Sequence, residues 1–456
     1  MKNFLRENRY TVLFLILWLV IGRLAPTLLY VVFPVGVVLL RRVDHWQDIL
    51  FGFIMCLVLS DSLRGIPGMQ VVKSAKAAYL LALTLVLFVD QARMQPMARV
   101  FSIFLPFFVY AFLPILASEV PITAIEKTLS YALLFLVVPN YVLYNFRRSG
   151  WSFFRNLVWF LVFVLLSQLL LPIIGNASEF YMVGRFNGYF GNPNGMAIFT
   201  YLTFVLFAVI RHLKPELFTR WGTLFIYGVL VYFLVTCGAR TSLMSTLMFV
   251  FFVQFFRMST ALGIISFVAF VGISELLTSN LPVIITTLGL EEYLRVETLG
   301  DGSGRYVAWN YIWDQIMNHG YFLFGAGFEN EYVLMHRAYR YLSALGHQGG
   351  AHNSYLALWL NVGIVGLILY FRGFALIFIK ASKNTSIALA VMFSVLFSIL
   401  YESWLAGSLN PYTILLLVIL TIMSEEEIIG SLDQQEAEVE ALPEEPATPP
   451  LILPAR

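Results

Sequence analysis

Four short clusters in this 456-residue chain combine side chains able to do chemistry with a position at the edge of an apolar run. The first is RFNGYFGNPNG at 185–195, an Asn/Gly/Pro-rich turn leading straight into a helix. Free backbone N–H groups at that helix start, beside Arg185, suit an anion such as a phosphate, with Asn192 and Asn194 in support. The same turn also reads as a tight loop in which Asn194 caps the helix. The second is CGARTS at 237–242, where Arg240 lies between two apolar runs with almost no polar spacer. A charge at the bilayer edge is costly enough to be a functional candidate by default, with an anion as its natural partner; a snorkelling arginine that ends a helix is the alternative. The third is DGSGR at 301–305, in which Arg305 precedes Trp309 and Trp313 at helical spacing. Cation and indoles then share one face, either beside a sugar ring or in an interfacial aromatic belt. The fourth is GHQGGAHNS at 346–354, where His352 and Asn353 stand at the mouth of a helix. An imidazole there can take a proton from a hydroxyl near neutral pH, with His347, His336 and His319 as competitors and a plain surface histidine as the alternative.

The elements that hold these clusters follow from composition. With 59% hydrophobic and only 12% charged residues, the chain has far too much apolar surface for a water-soluble globule. Lipid gives the backbone no hydrogen-bond partner, and the apolar runs show no period-two alternation, so an all-α polytopic membrane protein is expected. Helices are expected near 11–22, 27–40, 49–60, 75–90, 99–117, 127–145, 154–174, 194–210, 221–236, 241–256, 260–277, 354–371, 386–402 and 411–423. Several fall short of the roughly 20 residues of a full crossing, so the count is about 12–14. The run at 11–22 lacks a following small-residue cleavage site and is read as a retained helix. The two cysteines, Cys56 and Cys237, both lie in apolar runs and define neither a disulfide framework nor a metal site.

This divides the chain into a transmembrane bundle at 1–277, one large polar loop at 278–353, further transmembrane helices at 354–423 and a tail at 424–456. The tail holds nine acidic residues, five prolines and one basic residue, a mixture expected to be disordered. Without it, 28 basic face 18 acidic residues, so a formal net charge of +2 conceals a basic membrane body suited to anionic headgroups or diphosphates. Most basic residues outside the long loop fall on one side if both termini are cytoplasmic, which turns that loop outward. Arg64, Lys73 and Lys76 stand against this pattern: either the third and fourth helices are misplaced, or these cations bind something anionic outside.

Taken together, RFNGYFGNPNGMA, GARTS, GRYVAWNYIW with LFGAGFEN, and AHNSYLALWLNVGIVGLILYF resemble the bacterial O-antigen ligase and O-antigen polymerase superfamily. The similarity covers about residues 185–371, with HN-x-x-L followed by G-I-x-G-L its most specific part. The resemblance implies a GT-C-like membrane glycosyltransferase in the bacterial cytoplasmic (inner) membrane. Its donor would be an undecaprenyl-diphosphate-linked glycan and its acceptor a hydroxyl on lipid A-core or another glycan, with membrane lipids as further partners and no nucleic acid. It also implies His352 as the base and Arg240 and Arg305 as the diphosphate-holding residues, Arg185 having a less defined part.

Such a reaction needs cations for the leaving diphosphate and one base for the incoming hydroxyl. Arginine's planar fork suits the first task. The chain has no D-x-D pair, and the expected first outward loop at 23–26 holds no carboxylate, so a metal-independent enzyme without cofactor is expected. A polymerase of lipid-linked repeats and a protein O-oligosaccharyltransferase stay open, and so, more distantly, do a lipid-linked glycan flippase and a scaffold. No internal repeat of the transporter kind is visible.

Overall fold

In the computed structural model, residues 9–61, 69–174, 180–288, 305–347 and 349–430 are described. Arg64, the segment 301–304 and the tail from 431 lie outside them. The chain is almost wholly helical. Before the long loop run α1 (Arg9–Leu24), α2 (Leu29–Arg42), α3 (Trp46–Ser60), α4 (Met69–Val89), α5 (Arg99–Ala111) and α6 (Pro121–Ser149). They are followed by α7 (Trp151–Ser167), α8 (Pro193–Leu213), α9 (Arg220–Cys237), α10 (Arg240–Met258) and α11 (Thr260–Leu288). The loop itself carries α12 (Arg305–Asn318) and α13 (Asn330–Arg337), and after it come α14 (Ser354–Ala381), α15 (Ile387–Leu400) and α16 (Pro411–Ser424). A small antiparallel hairpin, β1 (Tyr181–Met182) and β2 (Arg185–Phe186), precedes α8.

Each of the fourteen expected helices has a counterpart. Among the described residues, eight helical segments are long and apolar enough to cross a membrane, and four shorter apolar helices accompany them. This is a multi-pass, all-α membrane protein. Two boundaries need correction. The helix expected to end at 277 continues to Leu288, because Thr278, Ser279 and Asn280 do not stop a helix whose apolar run resumes at Val283. The tail expected from 424 is folded as far as Gly430. Ile428 and Ile429 are buried there, Arg147 grips Glu427 at 2.7 and 2.8 Å, and Glu426 meets Arg99 at 3.0 Å and Lys380 at 2.8 Å. These pairs lie at the end of the bundle opposite the four clusters, where the last turns of α2 and α6 also place Arg41, Arg42, Arg147 and Arg148.

One break in the helical order positions the loop. Within α14, Gly363 takes φ 67°, ψ 177°, which interrupts the i→i−4 ladder and frees carbonyls upstream. Ala326 N donates to Leu360 O and Gly327 N to Asn361 O, both at 2.8 Å, so the loop segment LFGAG is laced to the broken helix. The approach is close enough to require glycine on both sides: a Cβ at Gly363 would lie 2.2 Å from Leu323 O, and one at Gly325 2.4 Å from Gly363 N. Gly363→Ala is therefore expected to cost about 2 kcal/mol or more through backbone strain and overpacking. A wild-type unfolding midpoint for this variant in detergent would show that the contact is slack.

An aromatic cluster fixes the other wall. Phe108, Phe135, Phe328 and Tyr370 pack around Tyr131 inside the bundle, with Phe104 and Phe107 against Tyr370. The Tyr131 hydroxyl donates to Leu405 O at 2.8 Å, anchoring the link between α15 and α16. Ser354, the first residue of α14, donates to Glu402 O at 2.7 Å and holds the same link from the loop side.

Candidate active site at the loop return

The link so anchored carries Glu402, a carboxylate whose side chain is 8% exposed. Its Oε1 accepts from Arg305 Nη2 at 3.0 Å and from Asn194 Nδ2 at 3.1 Å, while Oε2 lies 3.4 Å from His352 Nδ1. Asn194 passes the connection on, its Oδ1 accepting from Arg185 Nη2 at 2.7 Å. Three of the four sequence clusters thus meet on one buried carboxylate. That carboxylate compensates the partly buried guanidinium of Arg305, which would be costly to hold there unpaired.

The fourth cluster joins through the backbone. Arg185 Nε donates to Cys237 O at 2.7 Å, at the point where α9 ends on a left-handed Gly238. The left-handed φ of 57° favours glycine there, and a Cβ would stand 3.3 Å from Arg185 Nε. Arg240 opens α10 three residues after that carbonyl and is exposed, at the same end of the bundle as Arg185.

Local folding explains the remaining residues. Asn192, not Asn194, caps α8: its Oδ1 accepts from Gly195 N at 2.7 Å, which leaves Asn194 for the bridge to Glu402. Asn353 caps α14 in the same way, accepting from Leu356 N at 3.0 Å. His352 sits just before that cap with φ 47°, a strained conformation for a residue with a Cβ. Trp309 holds the strained turn by donating from Nε1 to Ala351 O at 3.0 Å, so it braces the backbone beside His352. Trp313 packs edge-on against Trp359. Glu331 in α13 accepts from Ala351 N at 3.0 Å, and enclosure holds its carboxyl above the usual range, opposed by that amide.

The competing histidines are placed differently. His347 is buried, with Nε2 3.1 Å from Gly350 O and its ring 5.9 Å from that of His352. His336 and His319 are exposed on the loop helices, and neither meets Glu402 among the contacts of the described residues. His352 turns Nδ1 to Glu402, and Gly349 passes so close to Nε2 that a Cβ there would come within 2.8 Å.

Glu402 is the residue that reading the sequence missed. It ends an apolar run exactly as Arg240 begins one, so the rule that singles out charge at the membrane edge applies to it equally. Its significance depends on three partners more than 45 positions away. Glu402→Gln keeps the shape but removes the charge that Arg305 and His352 share. A roughly 10- to 100-fold fall in turnover is expected, the worth of one charged hydrogen bond. Unchanged turnover with normal expression would reduce Glu402 to a structural link.

Among the described residues no three His, Cys, Asp or Glu side chains gather as a metal-binding set. A comparison with protein families matches residues 194–371 to the family described as O-antigen ligase. The match includes Asn194, Arg240, Arg305 and His352 and stops short of Arg185 and Glu402. No curated protein matches the chain.

Proposed function

We propose, from the match of residues 194–371 to the O-antigen ligase family, that the chain is a ligase-type glycosyltransferase. It moves a glycan from an undecaprenyl-diphosphate carrier to a hydroxyl of lipid A-core, at the outer face of the inner membrane, with both termini cytoplasmic. The observation that carries this reading is the Glu402 carboxylate, which gathers Arg305, the Asn194–Arg185 pair and His352 into one site.

The acceptor oxygen attacks the anomeric carbon, the bond from that carbon to the diphosphate oxygen breaks, and the lipid diphosphate leaves with the electron pair. His352 Nε2 accepts the hydroxyl proton. Glu402, behind Nδ1, orients the ring and stabilises the imidazolium that forms. Arg305 and Arg240, with Arg185 in support, hold the diphosphate and absorb its growing charge. Glu402 Oε1 accepts from the Arg305 fork through Nη2 at 3.0 Å. The incoming diphosphate competes for that fork and leaves the carboxylate to the histidine.

Arginines take the part that a divalent cation plays in other transferases, so turnover by the purified protein is expected to be unchanged by EDTA. Loss of activity restored by magnesium or manganese would overturn the metal-independent reading. The acceptor is tested by surface-glycan analysis of a deletion strain. Intact polymer stranded on the lipid carrier supports the ligase, whereas accumulation of single repeats means a polymerase.

A further inference from the structure

Lys73 and Lys76, the residues at odds with the positive-inside pattern, stand in the first two turns of α4. They belong to the same end of the bundle as the Glu402 site. Lys76 Nζ donates to Leu409 O at 2.7 Å, on the link that also carries Glu402. Lys73 lies one turn before Lys76 on the same face of α4, and Lys127 lies one turn before Ser130, whose hydroxyl donates to Ser408 Oγ at 3.1 Å beside Leu409. Lys127 is paired outward with Glu329 at 3.2 Å. Lys76 gives its hydrogen bond to a carbonyl, with Lys73 and Lys127 on the turns beside it. An ammonium withdrawn from water beside like charges is stabilised by a further anion.

This group adjoins the candidate active site without sharing its arginines. The Tyr412 hydroxyl donates to Asp61 Oδ2 at 2.9 Å. A Cβ on Gly195 would lie 2.3 Å from that hydroxyl and 3.3 Å from Asp61 Oδ2, so Asp61 and Tyr412 press against the turn that presents Asn194 to Glu402. The lysines thus lie across Asp61 and Tyr412 from the Arg185–Asn194 pair.

We propose that Lys73, Lys76 and Lys127 form a second anion site, which takes a phosphate group carried by the acceptor and brings its hydroxyl toward His352. The assignment to the acceptor rests on the transferase reading; the anion site itself does not. A charged docking point beside the reaction centre would steer a phosphorylated acceptor and fix its register.

The full chain in phosphatidylcholine nanodiscs, titrated with radiolabelled inorganic pyrophosphate, tests this. Two classes of site are expected. Combining Lys73→Gln, Lys76→Gln and Lys127→Gln should weaken one class on the order of a hundredfold, each lysine near a membrane surface being worth about 1 kcal/mol. The other class should persist and disappear instead in an Arg240→Gln, Arg305→Gln variant, so the two readings fail separately. Wild-type binding by the lysine variant overturns the site. Should the triple variant not fold, Lys73→Gln alone, at an exposed position, is expected to weaken the same class about fivefold, and no change in it counts against the site equally. Displacement of pyrophosphate from the lysine class by phosphatidylglycerol in the disc would assign the site to a bilayer headgroup and overturn the acceptor assignment; persistence supports it.

Discussion

Replacing His352 with alanine is expected to lower glycan transfer by about 10²- to 10⁴-fold while leaving donor binding in place, the usual contribution of a positioned general base. The two effects separate because the imidazole sits at the Oε2 side of Glu402, whereas Arg305 and Asn194 hold Oε1. Removing the ring leaves the arginine side of the site intact. Transfer is measured with purified protein and lipid-linked donor, and binding by retention of the same donor. A variant that folds, binds donor and transfers at the wild-type rate would remove His352 from the mechanism. His347 would then be next in line, although its burial and its contact with Gly350 O would require the turn to open first.

Arg240→Ala is expected to reduce turnover by about 10²- to 10³-fold, the cost of deleting one stabiliser of charge in a transition state. Arg240 is exposed at the first position of α10, so its loss should shift the unfolding midpoint less than the loss of Arg305 does. Arg305 differs. It is only 20% exposed and paired with Glu402, and deleting it strands a buried carboxylate at a cost of about 3–5 kcal/mol. A fall in activity at Arg305 therefore mixes chemistry with stability, and Arg240 is the cleaner probe. Arg240→Lys keeps the charge and loses the fork, so near-normal turnover in that variant would argue against bidentate contact with the diphosphate. A full loss in Arg240→Lys with donor binding preserved would place the fork in the transition state.

The helices were legible in the sequence because lipid enforces them: an apolar run in a bilayer must satisfy its own backbone, so hydropathy alone located all fourteen. The boundaries were less so. Thr278–Asn280 are polar enough to suggest an end, yet the ladder continues to Leu288, since such residues are tolerated within a helix. Ser424–Gly430 are acidic enough to suggest disorder. They fold because Arg99, Arg147 and Lys380 lie opposite them, a pairing that composition does not reveal.

The same division runs through the site. Arg185, Arg240, Arg305 and His352 could be picked out singly, because a charge or an imidazole at a membrane edge is costly and therefore informative. Which of them meet could not. Asn192 and Asn194 are alike in sequence, and only the register of α8 gives the cap to one and the Glu402 bridge to the other. Glu402 looked like the end of a helix until the Gly363 break, the LFGAG lacing and the Tyr131 anchor brought the loop return against it. The sequence by itself determined the membrane class, the helices and the chemical types available at one end of the bundle, for these follow from local cost in lipid. The tertiary structure alone decided that one carboxylate joins the cations to the histidine, because that contact is made between segments far apart in the chain and has no local signature.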